Sequence, residues 1–189
     1  MYQYYKQSHK THVLLEEENK KMIENYETLN LFHLNRIQER IKKHKLNATK
    51  ENPKPDFGIA VDAWCTNHLP TPGPGGYRGV DLQTGEQLFL QNHLGPCTNN
   101  IAEFLAITHG IMYCKKHKKH SVVYSDSEIA MAWFKMKKAN SGADLSKNQE
   151  LVRKLWHAEN WLLDQKHLAT VLKWETKNWG EIPADFNRK

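Results

Sequence analysis

One apolar run with an acid at its centre constrains the fold of this chain more than any other feature. Residues 57–64 read FGIAVDAW, and Val, Ile, Phe and Trp are typical of a strand that packs on both faces. Asp62 interrupts this run, and an unpaired buried carboxylate is costly. A metal cation is the most economical partner, because it favours the ionised acid. In the alternative interpretation, the strand ends one residue early and Asp62 lies in a solvated loop.

The length and composition predict one main domain with an appendage. The chain has 189 residues, of which 39% are apolar, and this is enough for one sizeable core. No apolar run is long enough to span a bilayer, and no hydrophobic signal segment follows the charged N-terminus. The three cysteines, Cys65, Cys97 and Cys114, form no CxxC pair, so we expect neither a disulfide framework nor a zinc knuckle. A reduced, cytoplasmic protein without membrane contact is expected.

The net charge of +6 suggests contact with nucleic acid, but the charge is spread along the chain. Residues 1–52 contain 10 Lys/Arg and 7 Asp/Glu, and the remainder contains 17 and 14. Two local basic runs stand out, at residues 115–120 and 135–138. Each run can contact phosphates, and each can equally be a solvated helix end whose lysines complement the helix dipole.

The first 52 residues are predicted to form a helical arm. They contain neither Gly nor Pro, and an isolated helix this polar is marginal in water. We therefore expect the arm to pack on the main domain or to mediate self-association. A polar, proline-bearing linker at residues 47–55 follows, which divides the chain into the arm, residues 1–52, and a main domain, residues 53–189. The apolar stripe of the arm consists of Tyr26, Leu29, Leu34, Ile37 and Ile41.

The main domain alternates strand and helix patterns in the order β-β-β-α-β-α-α-β-α. After the first strand, the Gly- and Pro-rich residues 68–76 predict a loop, and a Thr84-Gly85 turn predicts a hairpin. This order is typical of a mixed sheet with helices. The predicted strands are residues 57–64, 77–83, 86–91, 122–124 and 170–174, and the predicted helices are residues 101–114, 129–138, 148–163 and a last one that begins at Pro183.

Three further acids stand where they can serve either a site or the local structure. Asn100 and Glu103 have the spacing of a capping box, which is the simpler explanation of Glu103. Asp126 follows a buried strand, where it can cap the next helix or join the ligand-binding edge of an α/β sheet. Asp185 falls in the first turn of the last predicted helix, where a negative charge complements the dipole.

Taken together, these four acids and their neighbours resemble type 1 ribonuclease H. The motifs that carry the resemblance are VDAWC, TNNIAEFLAI, YSDSE and IPADFNRK, which occur in the family's order, and PGPGGYRG after the first strand adds to it. The resemblance covers residues 57–189. It implies an α/β fold with a mixed five-stranded sheet flanked by helices, to which the N-terminal arm is an extension.

The resemblance also implies a two-metal endonuclease that acts on the RNA strand of RNA–DNA hybrids. By motif, Asp62 would bridge two Mg²⁺ ions, for which Mn²⁺ could substitute, and Asp185 would bind the ion that activates water. Glu103 and Asp126 would hold the second ion beside the leaving oxygen. Hard cations prefer oxygen ligands, and two ions about 3.5–4 Å apart can stabilise both oxygens of an in-line displacement.

Five positions correspond to substrate contacts in the family. Cys65, Asn99 and Asn100 match positions near the cleaved strand, where the 2′-hydroxyl distinguishes RNA from DNA. Glu128 stands where a Gln often contacts substrate. Trp133 can stack on a nucleotide, although an aromatic residue at helical spacing is more often part of the core.

The sequence departs from the family in ways that keep other functions open. The first motif has Asp-Ala-Trp in place of Asp-Gly-Ser, and the loop after the last strand has no histidine. The basic handle between the helices is reduced to Lys135, Lys137 and Lys138. The alternatives are a DNA-directed nuclease or resolvase on the same fold, and an inactive nucleic-acid-binding module whose acids only cap helices.

Overall fold

The computed structural model describes residues 53–66, 73–166 and 168–186. The predicted arm, residues 1–52, lies outside the described residues, so its helical structure and its self-association stay predictions. Residues 67–72, which include the first part of the predicted loop, residue 167 and the last three residues also lie outside them.

Six strands and four helices follow one another in the described part of the chain. The strands are β1 Ile59–Cys65, β2 Gly73–Asp81, β3 Gln87–Gln91, β4 Pro96–Cys97, β5 Val122–Ser125 and β6 Thr170–Lys173. The helices are α1 Asn99–His117, α2 Glu128–Met136, α3 Gln149–Asp164 and α4 Thr176–Trp179.

The main sheet has five strands in the order β3-β2-β1-β5-β6, and the short β4 pairs with β2. β2 is antiparallel to β1 and to β3, whereas β5 is parallel to β1 and to β6. The predicted mixed five-stranded sheet with helices is therefore confirmed. Its centre is β1, the strand that carries Asp62.

The two faces of β1 belong to two hydrophobic clusters, because side chains alternate along a strand. Ile59, Val61 and Ala63 pack in the larger cluster, to which α1, α2 and α3 also contribute. Ala60 belongs to the smaller cluster, which also contains Trp174, Ile182 and Ala184. The helices thus cover one face of β1, and the chain after β6 covers the other.

Gly110 allows α1 to approach the sheet closely. A Cβ atom at this position would lie 3.1 Å from a methyl group of Val123 and 3.2 Å from one of Val61. These distances are tighter than ordinary van der Waals contact. The glycine therefore lets α1 pack closely against β1 and β5 at this point.

The structure differs most from the predicted elements in two places. β2 begins at Gly73, inside the Gly- and Pro-rich stretch that predicts a loop, and Gly75 pairs with Cys65 of β1. The glycines fit a strand here because the neighbours are close, and a Cβ atom on Gly75 would lie 2.5 Å from Sγ of Cys97. At Pro183 the described chain forms a turn instead of the predicted helix, with a hydrogen bond from the Asp185 amide to the Ile182 carbonyl at 2.8 Å.

The basic run at residues 115–120 has a structural role that the sequence did not predict. Lys118 ends α1 in the left-handed conformation, with φ of 54°. Lys119 and His120 both contact the buried carboxylate of Asp81, at 2.8 Å and 3.1 Å. At least these two side chains therefore serve the fold, and the run is not simply a solvated helix end or a phosphate contact.

Among the described helices, none combines the length and the apolar character that crossing a bilayer requires.

Candidate functional site

Asp62 lies within the central strand and not in a loop. β1 continues through Cys65, so the alternative in which the strand ends before Asp62 is wrong. In the parallel register, Ile59 pairs with Val123 and Ala60 with Tyr124. Continuing the same offset places Asp62 beside Asp126, one residue after β5. Two acids thus meet beside the carboxyl end of β5, and in α/β sheets ligands gather at the carboxyl ends of strands.

Glu103 reaches the same edge from the first turns of α1, and it is only 9% exposed. The capping-box explanation is wrong, because the N-cap is Thr98, whose hydroxyl accepts a hydrogen bond from the Ile101 amide. Asn99 holds the carboxylate by donating from Nδ2 to Oε1 of Glu103 at 2.6 Å. The acid is therefore oriented by a side chain and serves no cap.

Asp126 does not cap its helix either. The N-cap of α2 is Ser127, whose hydroxyl accepts a hydrogen bond from the Ala130 amide at 3.2 Å. Lys173 of β6 donates to the main-chain carbonyl of Asp126 at 2.7 Å and contacts Glu128 at 3.1 Å. The main chain at Asp126 is thus fixed by a neighbouring strand, while its carboxylate is left for the site.

Three carboxylates converge at this edge. Asp62, Glu103 and Asp126 each offer an oxygen, and these oxygens lie within 4.8 Å of one another. Hard divalent cations such as Mg²⁺ prefer oxygen ligands of this kind. By geometry and by donor chemistry, the cluster is suited to a divalent cation.

The electrostatics of the cluster are those of carboxylates that a cation would favour in their ionised form. The pKa of Asp62 is raised to about 7, first by burial and then by the charges of Asp126, Glu103 and Asp185, against a backbone hydrogen bond at Ala63 that lowers it. Burial also raises the pKa of Glu103 and of Asp126, and the ammonium group of Lys173 opposes both shifts. A cation would reverse these shifts by favouring the ionised acids.

Asp185 comes to the site from the turn after β6. It is not one of the three acids whose oxygens cluster, but its charge raises the pKa of Asp62 and of Asp126. Arg78 of β2 donates from Nε to the Ala184 carbonyl at 2.8 Å and from a terminal nitrogen to the Asp185 carbonyl. The fourth predicted acid therefore lies alongside the cluster, on a segment held to the sheet.

The predicted substrate contacts fall into two groups. Cys65, Asn99 and Asn100 are half-buried at the ends of β1 and α1 beside the cluster, and Glu128 is exposed at the start of α2. Trp133 is only 7% exposed and packs edge-on against Phe104 at 6.4 Å. The stacking interpretation of Trp133 is therefore wrong, and this side chain belongs to the core.

Sequence reasoning missed two basic residues that hold the acidic segments. Lys173 gave no signal, since a single lysine at the end of a strand is common. Arg78 stands in the motif PGPGGYRG, where a charged residue beside buried strand positions needs a partner, and this signal could have been followed. The positive charges that the sequence emphasised, in the basic runs, lie elsewhere.

The fold and the cluster define an α/β domain with an acidic site suited to divalent cations. No family model matches the chain. The chain is 29% identical over 126 residues to a ribonuclease H of Neorickettsia sennetsu, and the match covers 59% of this chain and 82% of the relative. This similarity agrees with the resemblance to ribonuclease H that the four sequence motifs carry.

Two solved structures illustrate the structural comparison. The ribonuclease H1 of Halobacterium salinarum is 17% identical with a TM-score of 0.38, and the match covers 64% of this chain and 87% of that one. A ribonuclease H1 isolated from compost is 22% identical with a TM-score of 0.40, and the match covers 66% and 89%.

Proposed function

We propose that this protein is a metal-dependent endonuclease that hydrolyses the RNA strand of RNA–DNA hybrids. The observation that carries the proposal is the convergence of Asp62, Glu103 and Asp126, whose oxygens lie within 4.8 Å. The similarity to a curated ribonuclease H supplies the reaction class. Phosphodiester hydrolysis needs this kind of site, because cations held by carboxylates stabilise the charges that develop on the reacting oxygens.

The four acids would hold two Mg²⁺ ions, with Mn²⁺ as a substitute. Asp62 would bridge both ions, Asp185 would bind the ion beside the attacking water, and Glu103 and Asp126 would bind the ion beside the leaving oxygen. Such ions lower the pKa of bound water and stabilise the leaving oxygen. The protein contributes the placement of the carboxylates, each on a different element of the fold.

Two hydrogen-bonded neighbours keep this acidic site in order. Asn99 fixes one oxygen of Glu103 at 2.6 Å, and Lys173 fixes the carbonyl of Asp126 at 2.7 Å. Such supporting partners are worth about 10- to 100-fold in metal affinity or activity. Because the pKa of Asp62 is about 7 without a cation, cation binding near neutral pH is expected to release a proton.

The alternative of an inactive binding module loses its main support. That interpretation needs the acids as helix caps, but Thr98 and Ser127 are the N-caps of α1 and α2. Helix capping therefore does not explain why Glu103 and Asp126 lie where burial raises their pKa values. Buried acids with raised pKa values that converge in one place favour a functional site.

Recognition of RNA is proposed to occur beside the cluster. Cys65, Asn99 and Asn100 lie at the ends of β1 and α1, next to Asp62 and Glu103. A substrate whose scissile phosphate lies at the acids would pass its sugars over these residues. The 2′-hydroxyl, which both donates and accepts, is the group they would read.

The proposal is tested by incubating the protein with matched RNA–DNA, RNA–RNA and DNA–DNA duplexes of one sequence. We expect cleavage of the RNA strand in the hybrid with Mg²⁺, weaker cleavage with the other duplexes, and none with EDTA. Preferential cleavage of DNA–DNA would instead identify a DNA-directed nuclease. Binding without cleavage of any duplex, at any Mg²⁺ or Mn²⁺ concentration, would contradict the proposal.

A further inference from the structure

The side chain of Arg78 links the strand that pairs with β1 to the segment that carries Asp185. Arg78 is the register partner of Asp62 across the β1–β2 pair. Directly opposed side chains lie on the same face of a sheet, about 5 Å apart at Cβ. The guanidinium group therefore starts from the face on which Asp62 lies, where the segment after β6 packs.

Three contacts join this guanidinium to consecutive residues of the segment. Nε donates to the carbonyl of Ala184 at 2.8 Å, and a terminal nitrogen donates to the carbonyl of Asp185. The guanidinium carbon also lies 4.7 Å from the centre of the Phe186 ring. The planar fork of arginine can satisfy two neighbouring carbonyls and stack on a ring at once, and a lysine ammonium cannot do so.

The part of this segment that follows α4, residues 180–186, needs such an anchor because it forms no helix or strand. Ile182 and Ala184 are buried, and the amide of Asp185 donates to the Ile182 carbonyl at 2.8 Å, so the chain makes one turn there. Trp64 of β1 meets the Phe186 ring edge-on at 6.3 Å. These contacts fix the main chain on either side of Asp185 relative to β1 and β2.

We propose that Arg78 is a positioning residue, which places the Asp185 carboxylate at the metal site by holding the carbonyls of Ala184 and Asp185. This inference rests on the proposed function, since it assigns a support to one of the proposed metal ligands. Because Asp62 and Arg78 are register partners, the pairing of β1 with β2 would set the position of Asp62 directly and that of Asp185 through Arg78. Arg78 itself contacts neither cation nor substrate in this account.

The decisive comparison is a cycle of Arg78→Ala, Asp185→Asn and the double variant. If Arg78 acts through Asp185, the double variant should lose about as much Mn²⁺ affinity as Asp185→Asn alone. The effects of substitutions at residues in contact are not additive. We expect Arg78→Ala to weaken Mn²⁺ binding, measured by calorimetry, by about 10- to 100-fold. In the Asp185→Asn background the same change should weaken it less than about 2-fold.

Hydrogen exchange in the metal-free protein supplies a second readout, which does not depend on activity. Peptides that cover residues 182–186 should exchange at least about 10-fold faster in Arg78→Ala, while peptides from α1 should be unchanged. Arg153→Ala, which removes an exposed arginine of α3, is the matched control and should alter neither set of peptides. In Arg78→Lys these peptides should exchange at a rate between those of the parent and of Arg78→Ala. The lysine variant replaces the alanine variant if the latter does not fold.

The outcomes separate this inference from the proposed function. If the parent fails to cleave hybrids, the proposed function falls, and the Mn²⁺ cycle still decides the role of Arg78. If the parent cleaves hybrids but Arg78→Ala binds Mn²⁺ like the parent, or loses affinity equally in both backgrounds, the inference is overturned and the function stands. Unchanged exchange of residues 182–186 would also overturn it.

Discussion

The Oδ2 atom of Asp81 lies 3.1 Å from the Nε2 atom of His120, and both side chains are fully buried. Lys119 adds its ammonium group to the same oxygen at 2.8 Å. The Nδ1 atom of His120 has no hydrogen-bond partner among the described residues. An imidazolium needs a partner for both N–H groups, so this geometry favours a neutral ring that donates from Nε2, with Lys119 balancing the charge of Asp81.

The first prediction is that His120 resists protonation in the folded protein and that its own contribution to stability is lost in acid. Burial lowers the pKa of His120, although the Asp81 charge opposes the shift. The unfolded ring then binds a proton near pH 6.5 before the folded ring does. The contribution of His120 to stability should therefore fall as pH drops below about 6.5. A chemical-shift titration of His120 checks this, and a midpoint at or above 6.5 would contradict it.

The second prediction is that Asp62→Asn stabilises the metal-free protein at pH 8. The pKa of Asp62 rises from 3.8 to about 7 on folding, so the folded state holds a proton that the unfolded state has lost. The destabilisation that Asp62 contributes to the metal-free protein should thus grow as pH rises from about 4 to 7. Each pKa unit corresponds to about 1.4 kcal/mol, so the amide should raise the free energy of unfolding by at most about 4 kcal/mol.

Urea denaturation of the parent and of Asp62→Asn at pH 4 and pH 8, in EDTA, measures this effect. The difference should disappear at pH 4, where the acid is protonated in the folded protein. Adding Mg²⁺ at pH 8 should stabilise the parent and leave the variant nearly unchanged. If Asp62→Asn is less stable than the parent at pH 8 without metal, the ionised carboxylate of Asp62 does not destabilise the metal-free protein, and the prediction is wrong.

The third prediction concerns Lys173, which opposes the raised pKa values of Glu103 and Asp126. Lys173→Met should remove this charge and the bond to the Asp126 carbonyl, and we expect about a 10-fold loss of hybrid cleavage. The acid limb of its pH–rate profile should move to higher pH, because Glu103 and Asp126 then keep their protons to higher pH.

Lys154→Met is the matched control for Lys173→Met. It removes the same charge from α3, where Lys154 pairs with Glu150 at 3.1 Å, and it leaves the bond to the Asp126 carbonyl in place. We expect less than a 3-fold effect on the cleavage rate, because exposed ion pairs are weak. Equal losses in both variants, with unshifted profiles, would mean that the loss comes from the overall charge of the protein and not from an effect of Lys173 on the acids.

The fourth prediction is that full hybrids are cut much faster than DNA duplexes with one ribonucleotide. Asn99, Asn100 and the chain after Cys65 would contact several consecutive 2′-hydroxyls, so a single one should not satisfy the site. Cleavage rates on duplexes of one sequence with one, two, four and all ribonucleotides measure this dependence. Equal rates on the first and the last would contradict it.

The sequence identifies the acids of this site better than the groups that hold them. Asp62 could be found because a carboxylate inside an apolar strand needs a partner, and β1 places it within reach of Glu103 and Asp126. Glu103 and Asp126 were ambiguous, because capping residues compete for the same positions. Only coordinates reveal that Thr98 and Ser127 are the caps.

The supports could not be predicted because they depend on contacts between residues far apart in the chain. The bond from Arg78 to the Asp185 carbonyl crosses 107 residues, and the bond from Lys173 to the Asp126 carbonyl crosses 47. The Gly75 region was predicted as a loop because its composition is that of a turn, but pairing with β1 overrides local propensity. Trp133 could likewise be placed in the core and not at the substrate only once its packing was known.

The most direct test of the account is the rate at which Asp62→Asn cleaves an RNA–DNA hybrid with saturating Mg²⁺. The amide keeps the volume of the side chain and removes the charge that both proposed ions need. Asp164→Asn, the same change at an exposed residue of α3, is the control and should retain the parental rate. We expect Asp62→Asn to lose at least about 1,000-fold in rate, while it still binds the hybrid and remains folded. An Asp62→Asn protein that cleaves hybrid near the parental rate would contradict the assignment of the metal site.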